Sequence, residues 1–315
     1  MTKAISLSDT VFQFPTTAVK TFRLDDLKVA LHGRGFPDRA VPENFALSYP
    51  DPVAGWFNIG VLHTSCDGRP GHANYAPCTV ADLRSRGYQY WALGHIHEYE
   101  ELSDDPWIVF PGNLQSRSVR ECGPKGAVIV DVADDGVNAV RRLIVDHARW
   151  ATVVVDVTGI DQQTALIQKI EDTIRPAADA TQGRLLALRV SLQGKTPLHR
   201  RLNADSRRYM DEAQAAAHRC HEDVWLERLR VETEEMSTPA PQDAAIASLD
   251  LGAMLREIKL DPAFRNNASE LIASVTGKLP GGIVTGEASL SEDLEKILTK
   301  ATALVLGRAL RGQEQ

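Results

Sequence analysis

The apolar positions of this chain change period along its length, and the changes mark its elements. Continuous apolar runs come first, at Val29–His32, Phe57–Leu62, Tyr88–Leu93 and Trp107–Phe110. Short runs of this kind bounded by turn residues predict strands covered on both faces. Gly33-Arg34-Gly35 closes the first of them as a turn. Between the second and third, Thr79–Arg86 has helical character, with Thr79 as N-cap. Gly126–Val132 and Val137–Val145 flank Asp134-Asp135-Gly136, which predicts a hairpin. Residues 1–20 show little periodicity and read as an irregular lead-in.

A second module starts near Arg149-Trp150. Thr152–Val157 is β-branched, and Leu166, Ile167, Ile170 and Ile174 follow helical spacing. Leu185–Leu192 alternates as a half-exposed strand does, Ala204–Cys220 reads as helix, and Val224–Val231 as a further strand. This β-α-β-α-β order predicts a small α+β lobe over 149–231. Residues 232–247 are polar and hold Pro239 and Pro241, so they read as a linker. The rest, 248–315, predicts a helical tail: Leu251, Leu255 and Ile258, then Leu271, Ile272 and Val275, then Leu294, Ile297, Leu298, Leu304 and Val305. Pro280-Gly281-Gly282 interrupts it, and Ser289 with Glu292 forms a capping box for the last helix. The tail's apolar stripe packs on its own chain or on a partner.

The 315 residues bound this organisation to two or three domains. A hydrophobic share of 43% with 24% charged residues is that of a globular protein with a real core. No apolar run approaches the ~20 residues of a spanning helix, and the first residues lack the apolar core of a signal peptide, so no membrane association is expected. Cys66, Cys78, Cys122 and Cys220 are scattered and form no CxxC pair. That argues against a disulfide scaffold or zinc ribbon and for reduced thiols in the cytoplasm. A net charge of −7 argues against a broad phosphate-tracking surface. A local phosphate site remains compatible with it, because bound divalent ions bring their own positive charge.

Chemistry concentrates at the strand ends. His63 closes the run Phe57–Leu62, and Gly94-His95-Ile96-His97 follows Tyr88–Leu93. The C-terminal ends of strands are where α/β architectures place ligands, and neutral imidazole suits Zn, Mn or Fe. In an extended segment His95 and His97, at i and i+2, point to the same side. One histidine alone would more often be an ordinary hydrogen-bonded side chain; three at two strand ends favour a metal. The loop Pro111-Gly112-Asn113-Leu114-Gln115-Ser116-Arg117 offers amides and a guanidinium to a phosphate, through Asn113 and Arg117. A plain turn with a solvated arginine is as good a reading of it. Arg117, Arg120 and Lys125 make a modest basic cluster. His32 and His72 are weaker candidates. His218, Cys220 and His221 lack a complementary ligand pair and are rejected as a zinc site. No Walker A, GxGxxG or GxSxG sequence occurs.

At Phe57–Ser65, Tyr75-Ala76-Pro77-Cys78, Gly87–His97 and Phe110–Gln115 the chain resembles the calcineurin-like metallophosphoesterases. More closely, it resembles their DNA-repair exonuclease branch, which holds the D subunit of bacterial SbcCD and the YhaO-type proteins. The resemblance implies an α/β fold: residues 1–148 as the second half of a four-layer αββα sandwich, then an α+β capping or DNA-binding lobe, then the helical tail. It implies His63 and His95 on one metal and His97 on another, with Mn2+ as the cofactor. Double-stranded DNA ends, an SMC-like ABC ATPase and a second copy of the chain are the implied partners.

The family builds its metal centre from five sequence blocks. The first three, Asp-x-His, Gly-Asp-x-x-Asp and Gly-Asn-His-Asp/Glu, do not occur in residues 1–56. The chain is therefore expected to start after the third block, through a mis-set start codon, a split gene or true degeneration to a non-catalytic remnant or assembly module. Three imidazoles without a bridging carboxylate cannot offset the repulsion between two close divalent ions. Weak binding of one metal and little or no hydrolysis by this chain alone are expected. Gln115-Ser116-Arg117-Ser118 departs from the family pattern, which has Gly and His at the serine positions.

Overall fold

The computed structural model describes residues 8–38, 41–67, 75–133, 136–236, 242–276, 278 and 294–311. The chain divides into two compact units, Met1–Trp150 and Ala151–Gln315. Together they give a mixed α/β architecture.

The first unit is built on strands β1 (Lys20–Leu24), β2 (Val29–Gly33), β3 (Phe57–His63), β4 (Tyr90–Gly94), β5 (Tyr99–Asp104) and β6 (Trp107–Pro111). They form one six-stranded sheet in the order β1-β2-β3-β4-β6-β5. β2, β3, β4 and β6 run parallel, and β1 and β5 close the edges antiparallel. The four apolar runs are these four parallel strands. The two edge strands escape pattern analysis because their residues are polar or half-exposed. A hairpin of β7 (Gly126–Ala133) and β8 (Gly136–Ile144) forms a separate two-stranded sheet.

One face of the six-stranded sheet is closed. Ala30, His32, Asn58, Leu62, Trp91, Leu93, Ile108 and Phe110 lie on it, all buried. Trp91 is fully buried and sits in register with Gly60. A Cβ at Gly60 would lie 2.2 Å from the indole, so glycine there is a packing requirement. The indole Nε1 donates to Leu83 O at 3.2 Å. Leu83 belongs to α1 (Val80–Arg84), whose start is held by the Thr79/Asp82 capping box. Tyr49, after the short 3-10 helix Phe45–Ser48, and Tyr88 pack on the same indole, each with ring centres at 5.1 Å. On the opposite face Leu31, Ile59 and Val61 are only half-buried.

The second unit is a three-stranded sheet, β11 (Val224–Glu235), β10 (Leu185–Thr196) and β9 (Ala148–Asp156), with β10 and β11 parallel. Helices α2 (Gln163–Asp179) and α4 (Ser206–Cys220) supply the other half of its core. Ile170, Ile174, Leu188, Leu192, Ala213 and Ala217 are fully buried in it. The alternation of Leu185–Leu192 is real: Leu186, Leu188, Val190 and Leu192 face the core, and Leu185 and Gln193 are exposed. The expected helix at Ala204–Cys220 is α4, which starts at Ser206 after Asp205 leaves helical backbone at φ −137°; a short helix that was not expected, α3 (His199–Ala204), precedes it.

The stretch expected as a linker is regular at both ends: β11 runs to Glu235 and α5 (Gln242–Leu260) follows. Parallel pairing of Glu232–Glu235 with Gln193–Thr196 explains why a polar segment is strand there. Helices α6 (Pro262–Thr276) and α7 (Leu294–Arg311) complete the unit, and Leu298 of α7 is buried. The Pro280-Gly281-Gly282 break and the Ser289/Glu292 capping box lie outside the described residues. No described helix is long and apolar enough to cross a membrane.

Candidate metal centre

β3 and β4 are parallel neighbours, and their register sets His63 beside Gly94. The Thr64 amide donates to Gly94 O at 3.1 Å, carrying the pairing one residue past the strand. A Cβ on Gly94 would come within 3.0 Å of His63 Nδ1, so the glycine lets this ring lie against the neighbouring strand end. His95 then takes φ +108°, in the left-handed region. Such backbone costs a non-glycine residue on the order of 1–3 kcal/mol and persists where surrounding structure holds it. The outcome is a His63–His95 pair with ring centres 5.3 Å apart and ring planes at 68°. Phe36 borders His63 at 5.3 Å, and Tyr75 borders His95 at 5.1 Å. Burial, and then the nearby His97, hold the His63 imidazole below its ordinary pKa. Both effects favour the neutral ring, the form whose lone pair a metal would need.

The expectation that His95 and His97 point to the same side assumed extended backbone through both residues. β4 ends at Gly94, and the positive φ at His95 ends the extended backbone on which that expectation rested. His97 turns to the loop after β6, where Nδ1 lies 2.7 Å from Glu121 Oε1. The two other loop candidates meet the same carboxylate. Asn113 Nδ2 donates to Glu121 Oε2 at 2.9 Å, the Arg117 amide to Oε2 at 2.9 Å, and the Arg117 guanidinium to Oε1 at 3.3 Å. Lys125, which is buried, donates from Nζ to His97 O at 2.9 Å. Of the basic cluster, Arg120 alone is exposed without a contact to this site. Gly112 has φ +76°, and a Cβ there would lie 3.1 Å from His97 O. The Pro-Gly-Asn turn is thus shaped by the close approach of residues 97–99.

Glu121 is the organising residue that sequence reading missed. The available signal was that it is the sole acidic residue between Pro111 and Gly126, among amide and guanidinium donors. Partial burial by itself would raise its carboxyl. The hydrogen bonds from the Arg117 amide, His97, Asn113 and the Arg117 side chain outweigh this and hold it down to about 2. A carboxyl depressed on folding contributes stability above its unfolded value of about 4.5 that is lost as pH falls toward about 2. Urea unfolding midpoints of the native chain and of Glu121→Gln, followed from pH 6 downward, should therefore differ at pH 6 and converge near pH 2. A constant gap would show that the carboxylate charge contributes nothing.

The remaining histidine candidates have structural roles or lie elsewhere. His32 is fully buried between Thr21 Oγ1 at 2.9 Å and Asn58 Oδ1 at 3.0 Å, and stacks on Tyr88. His72 lies outside the described residues. His218 packs edge-on against Trp225, and Cys220 Sγ donates to Glu171 O at 3.5 Å.

The imidazoles suit a divalent metal in kind. They fall short in number: no group of three or more His, Cys, Asp or Glu side chains is placed to hold one ion among the described residues. A catalytic divalent site takes about three protein ligands. His63 and His95 meet as a ring pair, and His97 bonds Glu121.

Comparison with known proteins places the chain. Residues 150–234 match the family model described as the middle domain of metallophosphoesterase YhaO. Over 269 residues the chain is 31% identical to a Bacillus subtilis (strain 168) protein described as "Uncharacterized metallophosphoesterase YhaO". That alignment takes in 82% of this chain and 65% of the relative, so the chain spans somewhat under two thirds of the relative's length. The histidines at the ends of β3 and β4, the match to the YhaO middle domain after them and the identity across most of the chain agree in likening this chain to the metallophosphoesterases.

Proposed function

We propose that this chain carries part of the metal centre of a Mn2+-dependent phosphodiesterase of DNA-repair exonuclease type, working on double-stranded DNA ends. The observation that carries the reading is the meeting of His63 and His95 at the C-terminal ends of adjacent parallel strands, bought with strained backbone at His95. A divalent ion bound there would supply charge stabilisation at a phosphate. Two imidazoles without a bridging carboxylate do not hold an ion pair, so the chain alone binds one metal weakly and does not turn over. The half-buried apolar face of Leu31, Ile59 and Val61 supports the six-stranded sheet as one sheet of a four-layer αββα sandwich. The second unit through β11 is the capping or DNA-binding lobe.

A second reading has its own observation. Met254, Ile258, Leu260, Leu271 and Val275 are exposed on α5 and α6, which supports an assembly surface for an SMC-like ATPase. An assay of the chain with Mn2+ on linear double-stranded DNA, beside a chromogenic phosphodiester, tests the first reading. The expected result is binding of DNA ends without cleavage of either substrate. Cleavage of DNA by this chain alone would refute the incomplete centre. Hydrolysis of the diester without DNA binding would replace the substrate class.

A further inference from the structure

Glu121 meets four donors. Its Oε1 faces His97 Nδ1 and the Arg117 guanidinium, and its Oε2 faces Asn113 Nδ2 and the Arg117 amide. An ionised carboxylate is acceptor-only, with about four lone-pair sites, and here every site has a donor. The amide of glutamine cannot replace it, because its NH2 would face donors. The main chain of His97 is held as well, by Lys125 Nζ on its carbonyl and by the close passage of Gly112. His97 is thus fixed at two points, side chain and backbone, by one loop.

One contact opposes the simplest proton assignment. Arg117 Nη2 lies 3.4 Å from His97 Nδ1, and a guanidinium only donates, so that contact wants a lone pair on Nδ1. The contact from Nδ1 to Glu121 Oε1 is 2.7 Å and wants a proton there. Charge-assisted bonds are short and strong, and 3.4 Å is long for any hydrogen bond. The carboxylate decides the tautomer.

We propose that Glu121 is a positioning residue that holds His97 as its Nδ1–H tautomer, with the Nε2 lone pair as the donor offered to a divalent cation. A histidine ligand is commonly oriented in this way by a carboxylate on its other nitrogen. The cation part of the inference rests on the metal reading above; the tautomer part does not.

The test is long-range 1H–15N spectroscopy of 15N-histidine-labelled full chain without metal, at about pH 8.5, where an ordinary imidazole is neutral. His97 should show one tautomer, Nδ1–H. In Glu121→Gln it should become a mixture of both, while the signals of His32 and His218 stay in place. A wild-type His97 in the Nε2–H form, the assignment Arg117 would impose, overturns the inference whether or not the variant folds. An unchanged tautomer in a folded Glu121→Gln chain also overturns it. Titration of the wild type with Zn2+ then addresses the other reading. Movement of the His97 Nε2 resonance supports its role as a metal donor. Locked Nδ1–H with no response to Zn2+ leaves the positioning role standing and removes the metal assignment of His97.

Discussion

Replacing Trp91 with alanine will lower the unfolding free energy of the first unit by about 3–5 kcal/mol, the range for a fully buried large aromatic. The indole is the largest fully buried side chain among the described residues. It lies across Gly60, where no side chain can fill the space left behind. Its loss also strips Leu83 O of its Nε1 partner, next to the first turn of a helix only five residues long. Tyr49 and Tyr88 lose the ring between them. For a unit of this size each kcal/mol shifts the midpoint by about 2–4 °C, so a drop on the order of 10 °C is expected. Thermal unfolding followed by tryptophan-independent circular dichroism measures it. A loss under about 1 kcal/mol would mean that the sheet does not close over this ring.

Single replacement of His63 or His95 with alanine should lower Mn2+ affinity about 100-fold or more. Loss of an outer partner of a metal ligand alone costs about 10–100-fold, and a ligand itself is worth at least that. His97→Ala should have a smaller effect on the same ion, because the His97 ring bonds Glu121 while His63 and His95 pack on each other. His147→Ala, in an exposed loop, should leave the affinity unchanged. Calorimetric titration of the four variants checks the pattern. Equal losses at all three candidate histidines would show them on one ion and contradict the separation of His97.

The parallel core of the first unit was legible because burial on both faces demands continuous apolar runs, and those at Val29, Phe57, Tyr90 and Trp107 became β2, β3, β4 and β6. The edge strands were not, because Lys20–Leu24 and Tyr99–Asp104 carry mostly polar or half-exposed side chains whose strand character comes from pairing. The second unit was legible for the same reason as the core. Its helices and strands each bury one face, and the period of Leu166, Ile170 and Ile174 records it. Polar 232–235 became strand only through pairing with β10.

Local order along the chain determined which residues carry chemistry: a histidine ends each of two apolar runs, and a glycine precedes the second. Those facts depend on neighbours in sequence, where steric and hydrophobic preferences act. Which of these histidines meet was decided by tertiary structure. Parallel register put His63 beside Gly94, a left-handed residue turned His95 onto His63, and a loop some twenty residues further on drew His97 to Glu121. Spacing in sequence carries a side-chain direction only while the backbone stays regular. At Gly94 regularity stops, and long-range hydrogen bonds take over.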